Sequence, residues 1–135
     1  EWLARFKKYL HKNFRPQNQL IWCGDLNIAP ERIDVHDPKR LLGHVCFNPD
    51  VWKALEDIKS WGLTDVFRKH HPGIAGQYTF FDYRIRDSVK RGLGWRVDHI
   101  LATKALAERS KSSAIDLDSR LAKKPSDHLI LYAQW

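Results

Sequence analysis

No apolar run in this sequence approaches the roughly 20 residues that a membrane-crossing helix needs. No signal-peptide pattern opens it. Cysteine is scarce. Cys23 and Cys46 are the two present, too few for a disulfide framework. Cys23 lies inside an apolar run and is expected to be a reduced core residue, which points to the cytoplasm. There is no internal repeat, low-complexity tract or domain boundary. The first residue is Glu1 rather than Met, so an upstream segment is expected. Acids are in deficit: 16 against 23 lysines and arginines, a formal charge of +7. That balance favours a polyanionic partner such as nucleic acid, although a basic surface with no partner gives the same count.

What is present reads as globular. The 135 residues are 43% hydrophobic and 29% charged, which excludes disorder. They suit one core of ordinary size, or a piece of a larger domain. Apolar positions Trp2, Leu3, Phe6, Tyr9 and Leu10 predict a helix over 1–13. The run Leu20 to Cys23, ended by Gly24, predicts a buried strand. Residues 28–48 read as a long surface loop. "NPDVWKALEDIKSWG" reads as a helix capped by Asn48 or Asp50, with Val51, Trp52, Leu55 and Ile58 as its buried stripe. "GQYTFFDYR" reads as an aromatic strand and 85–94 as a basic loop. In "GWRVDHILAT" alternation places Trp95, Val97, His99 and Leu101 on one face and Arg96, Asp98 and Ile100 on the other. A short helix or turn over 104–113, an edge strand in "AIDLDSRL" and a buried strand in "HLILYAQW" complete the chain.

Acids stand beside these strands: Asp25 with Asn27 in "GDLN", Asp98 in "WRVDHI", Asp127 with His128 in "SDH". Each has an ordinary explanation. "GDLN" suits a turn, Asp98 could pair with Arg96 or Arg84, and a lone His can be a satisfied core residue. Together they compose differently. An Asp can orient a His, a second Asp can carry a proton, and an Asn can donate to a phosphate oxygen. Those are parts of a metal-assisted phosphodiester hydrolase. No Ser or Cys sits in a nucleophile motif, so water is the economical attacking group. His70 and His71 are expected to be surface residues. Asp34, His36 and Asp37 lie in a loop without an apolar frame.

The blocks "GDLNIAP", "SWGLTDVFR", "YTFFDYR", "GLGWRVDHILAT" and "KPSDH", in that order, resemble exonuclease III-like apurinic/apyrimidinic endonucleases of the endonuclease/exonuclease/phosphatase superfamily. The resemblance spans essentially the whole chain. It implies an α/β fold: a mixed β-sheet with flanking helices, one half of a four-layer α/β sandwich. It implies that Asp25 transfers a proton, either activating water or protonating the leaving 3′-oxygen. Asn27 would hold the scissile phosphate, His128 would contact it, and Asp98 would orient His128. Asp127 would lie near the metal, magnesium or manganese, with Asp25 and Asn27. Phe80, Trp95 and Val97 would form a pocket for a flipped-out abasic sugar, which is cheap to extrude; ordinary core packing is the competing explanation. Arg84, Arg86, Lys90 and Arg91 would track phosphates.

The same resemblance marks what residues 1–135 lack. They correspond to the C-terminal half of the family pattern. The main metal-binding Glu, an Asn and a phosphate-contacting Tyr belong upstream. The inner sheet face would then have no partner and would leave an apolar patch. The expected partner of the whole protein is double-stranded DNA with abasic sites or 3′ ends, with no membrane. Two other outcomes fit: a phosphatase or inositol-phosphate hydrolase of the superfamily, and a non-catalytic DNA-binding remnant.

Overall fold

The structure, a computed structural model, describes residues 2–135. Glu1, expected to begin the first helix, lies outside the described residues. Helix α1 spans Trp2–Asn13 and strand β1 spans Ile21–Asp25. Helix α2 covers Pro49–Lys59, β2 Leu63–Asp65 and α3 Val66–His70. Then come β3 at Asp98–Thr103, α4 at Lys104–Arg109, β4 at Ser112–Asp116, α5 at Asp118–Leu121 and β5 at Ile130–Gln134. The fold is mixed α/β, as expected.

Strands β1, β3 and β2 form an antiparallel sheet with β3 in the middle, and β4 pairs with β5 antiparallel. The segment 79–81 joins the two sheets. Phe80 bridges Trp95, ahead of β3, and His128, ahead of β5. Phe81 N–H donates to the Asp127 carbonyl and Leu129 N–H to the Thr79 carbonyl. Site residues from distant parts of the chain are thereby tied into one frame.

Helices α1 and α2 pack on the sheet through Leu10, Leu55, Ile58, Trp61, Leu63 and Leu101. The Asn48 side chain caps α2 by accepting the N–H groups of Asp50 and Val51, with Pro49 at the first position; a missing proline N–H costs nothing there. Leu55 and Ile58 are buried, while Val51 and Trp52 are half-buried at the margin of the stripe.

Several expectations are corrected. Strands β1 and β5 form, but neither is buried throughout: Ile21, Cys23, Ile130 and Tyr132 are exposed. "GQYTFFDYR" is not a continuous strand. Thr79 and Phe80 N–H both donate to the Trp95 carbonyl at 2.9 Å, and two residues opposed to one form a bulge that stops the ladder. "AIDLDSRL" divides between β4 and α5. The loop 28–48 is not wholly superficial, since Ile28, Ala29, Asp34, Val35 and Phe47 are buried.

Strict alternation also fails before Asp98. Arg96 is fully buried, and its guanidinium holds Asp34 through Nε (2.7 Å) and Nη2 (3.1 Å) and Asp65 through Nη1 (2.8 Å). Arg68 adds a further bond to Asp34, and the Phe67 ring lies under the Arg96 cation at 5.5 Å. Arg96 therefore does not pair with Asp98. Nor is Asp34 without a frame. His70 and His71 close α3: His70 Nε2 lies 2.9 Å from Ser110 Oγ, and His71 Nε2 lies 2.6 Å from the Ser113 carbonyl.

Candidate active site

Asp25 ends β1 and Asp98 begins β3, and the register sets them directly opposite each other. Like charges in that position repel. His128 lies between them. Its Nδ1 is 2.9 Å from Asp98 Oδ2, and its Nε2 is 3.9 Å from Asp25 Oδ2. A carboxylate only accepts, so Asp98 selects the tautomer with the proton on Nδ1 and leaves Nε2 directed toward Asp25. Asp98 is itself placed by its neighbours: Thr79 Oγ1 accepts the Val97 and Asp98 N–H groups at 3.0 and 3.1 Å. Sequence reasoning missed Thr79, whose only trace is a buried hydroxyl in an aromatic run.

Gly24 precedes Asp25 at φ +132, a conformation open to glycine. Asn27 takes φ +51, which asparagine tolerates better than most residues. This turn folds Asn27 back onto Asp25. The Asn27 N–H donates to Asp25 Oδ1 at 2.8 Å and its Nδ2 to Oδ2 at 3.2 Å. Both oxygens of Asp25 are thus oriented by one neighbour.

Asn27 and His128 open into a pocket of about 670 Å³, whose lining includes Phe80, Trp95 and Val97. The His128 ring packs on Phe80 at 5.1 Å. The opposite wall comes from the loop 36–46, through His36, Arg40, Leu41 and His44, with the His44 ring 4.8 Å from Trp95. Nothing local in the sequence placed these residues at the pocket; the bridge from Val35 to Trp95 does so. Cys46 also reaches this wall. Burial and then the nearby Asp25 carboxylate push its thiol up, which keeps it protonated and a poor nucleophile.

The basic residues divide. Arg84 and Arg91 line the pocket, while Arg86 and Lys90 stand outside it in solvent. Arg84 forks both oxygens of Asp82 at 2.8 to 3.1 Å, and these bonds lower the Asp82 carboxyl below its usual range. Arg86 lies 3.5 Å from Asp87, and Arg91 donates to the Arg86 carbonyl.

Asp127 sits beside His128, its backbone carbonyl tied to Phe81. Among the described residues, no group of three or more His, Cys, Asp or Glu side chains could hold a metal ion. No helix among those residues is long and apolar enough to cross a membrane.

A family model described as the endonuclease/exonuclease/phosphatase family matches residues 1–128. The chain is 36% identical to exodeoxyribonuclease III of Haemophilus influenzae over 139 aligned positions, covering 98% of the chain and 51% of that protein. It is 32% identical to a DNA-(apurinic or apyrimidinic site) endonuclease of Dictyostelium discoideum, covering 95% of the chain and 34% of that protein. Among solved structures, an AP endonuclease from Archaeoglobus fulgidus superimposes with a TM-score of 0.94 at 51% identity, covering 98% of the chain and 51% of its own length. A 3′ phosphatase from Neisseria bound to a product DNA hairpin gives 0.90 at 32% identity, with 99% and 51% covered. The chain thus spans about half the length of several of these relatives and about a third of the Dictyostelium protein.

Proposed function

This chain belongs to the endonuclease/exonuclease/phosphatase family, and from that premise we propose that it is the C-terminal half of a DNA-repair nuclease. The whole protein would hydrolyse phosphodiesters in double-stranded DNA at abasic sites and at 3′ ends. The observation that carries this reading is the meeting of Asp25, Asn27, Asp98 and His128 at the mouth of a pocket lined by Phe80, Trp95 and Val97. An apolar pocket beside phosphate-binding groups suits a sugar without its base. The relatives named exodeoxyribonuclease III and AP endonuclease support it.

In this reading the Asn27 amide donates to a non-bridging oxygen of the scissile phosphate. His128 stands ready at the same phosphate, oriented by Asp98. Water forms the new P–O bond as the bond to the 3′-oxygen breaks, and Asp25 carries the proton that the water loses or the leaving oxygen gains. Nucleases of this family are generally dependent on a divalent metal; magnesium or manganese would stabilise charge on the phosphate. Asp25, Asn27 and Asp127 would contribute to holding it, with the principal carboxylate from the half upstream. Arg91 and Lys90 are the cations freest to meet phosphates, since Arg84 and Arg86 each have an acid beside them.

The Neisseria relative favours a second reading, a 3′ phosphatase acting on DNA ends. One assay separates the two: Trp95→Ala should impair nicking at an abasic site strongly and release of a 3′ phosphate little. The primary test is nicking of a duplex with one abasic site, with magnesium present. The full-length protein is expected to nick and the isolated chain to be inactive or nearly so. Strong cleavage by the isolated chain that is lost in Asp25→Asn would overturn the half-site reading. A full-length protein that does not nick would overturn the repair assignment.

A further inference from the structure

His99 is an imidazole where the packing would suit an aliphatic side chain. It is 1% exposed and lies on β3 opposite Gly24. A buried ring of this kind is costly unless both nitrogens are bonded, and both are. Nε2 lies 2.7 Å from the Ile28 carbonyl oxygen, which only accepts, so this nitrogen carries the proton. Nδ1 lies 3.2 Å from Arg96 Nη1, which only donates, so Nδ1 accepts. Asp65 Oδ2 is 3.7 Å from Nδ1, outside hydrogen-bond reach, and is bonded to the same Arg96 nitrogen. The tautomer is set from behind: Asp34 and Asp65 hold Arg96, and Arg96 fills Nδ1.

The carbonyl at the front of this chain belongs to the residue after Asn27. The residue before Asn27 is held too, because Leu26 N–H donates to the Val97 carbonyl at 3.0 Å. Asn27 is therefore bracketed by bonds from Val97 and His99, the two neighbours of Asp98. Between them Asn27 sits in a left-handed conformation that persists only where surrounding contacts hold it. We propose that His99 is a positioning residue for Asn27: its Nε2–H bond to Ile28, fixed in tautomer by Arg96, keeps the Asn27 amide facing the pocket it shares with His128.

The role of Asn27 at a phosphate rests on the function proposed above; the clamp itself does not. Two substitutions separate reach from bulk. His99→Gln can still donate to Ile28, whereas His99→Asn can accept from Arg96 but is too short to reach Ile28. In the full-length protein His99→Asn is expected to lower kcat for abasic-site nicking by about 30-fold with little change in KM. His99→Gln should stay within about threefold of the unsubstituted rate, and in an Asn27→Ala background His99→Asn should cost less than about threefold. Equal losses in the Asn and Gln variants, or the same loss with and without Asn27, would overturn the proposal. A readout without activity uses amide hydrogen exchange on the full-length protein. The Asn27 N–H should exchange about tenfold faster in His99→Asn than in His99→Gln, with Trp22 and Leu101 unchanged. Equal Asn27 exchange overturns the clamp whatever the nicking assay shows. Faster exchange in a full-length protein that does not nick leaves the clamp standing and removes the functional reading.

Discussion

His128 can be oriented because Asp98 lies one hydrogen bond away and Thr79 fixes the backbone of Asp98. Asp98→Asn keeps the shape of that contact and weakens the tautomer choice, since an amide can turn either its oxygen or its nitrogen to the ring. In the full-length protein kcat for nicking is expected to fall by about a hundredfold or more, with duplex affinity unchanged; a loss under threefold would remove Asp98 from its role. Asp25, Asn27, Asp98 and His128 were legible as a group because each stands in a short, ordered motif. Arg96 was not. Its partner Asp34 is 62 residues away, and alternation along "WRVD" assigned Arg96 the face of Asp98. A charge in a strand is read as exposed until something buried is found to neutralise it.

Among the elements, β2 and α3 are too short to announce themselves, a three-residue strand followed by a five-residue helix. Their importance comes from what they present. Asp65 ends β2, and Arg68 lies in α3. Together with Asp34 they enclose Arg96, so the connection between β1 and α2, the β2–α3 corner and the entry to β3 share one buried ion network. Arg96→Met would leave Asp65 buried without its cation and Asp34 with Arg68 alone, and is expected to destabilise the chain by about 3–5 kcal/mol in urea unfolding. Burial alone would raise the Asp65 carboxyl, but the Arg96 cation and the Arg68 N–H, both hydrogen-bonded to it, hold it well below its ordinary value of 3.8. The sign follows. A group depressed in the folded state stabilises above its unfolded value and loses that contribution as pH falls toward its folded value. Stability should therefore drop below about pH 4, and Asp65→Asn should flatten that acid limb while lowering stability at neutral pH. The bulge at Thr79 and Phe80 was equally hidden, because aromatic, β-prone residues describe a strand whether or not its ladder continues.

At the scale of the molecule, Ile21 on β1 and Ile130 and Tyr132 on β5 are exposed. In the proposed whole protein the upstream half covers the exposed apolar side chains of β5. Ile130→Lys should then change the stability of this chain by less than about 0.5 kcal/mol, yet cost the full-length protein about 2 kcal/mol or more. Equal effects in both would mean that the upstream half packs elsewhere. β1 and β5 read as buried strands in the sequence because an apolar run looks the same whether or not anything packs over it.

The placement of Asp25 opposite Asp98 has a consequence for how such a site persists through evolution. Two acids set against each other across a strand pair are a poor choice for a fold left to its own preferences. Asp25→Asn would relieve the repulsion and give up one of the two hydrogen bonds from Asn27, since an amide nitrogen does not accept. Drift alone would not preserve both acids. The survival of both acids in a lineage is a record of continuous selection for chemistry, and their loss in a descendant would be an early mark of a protein retired from it.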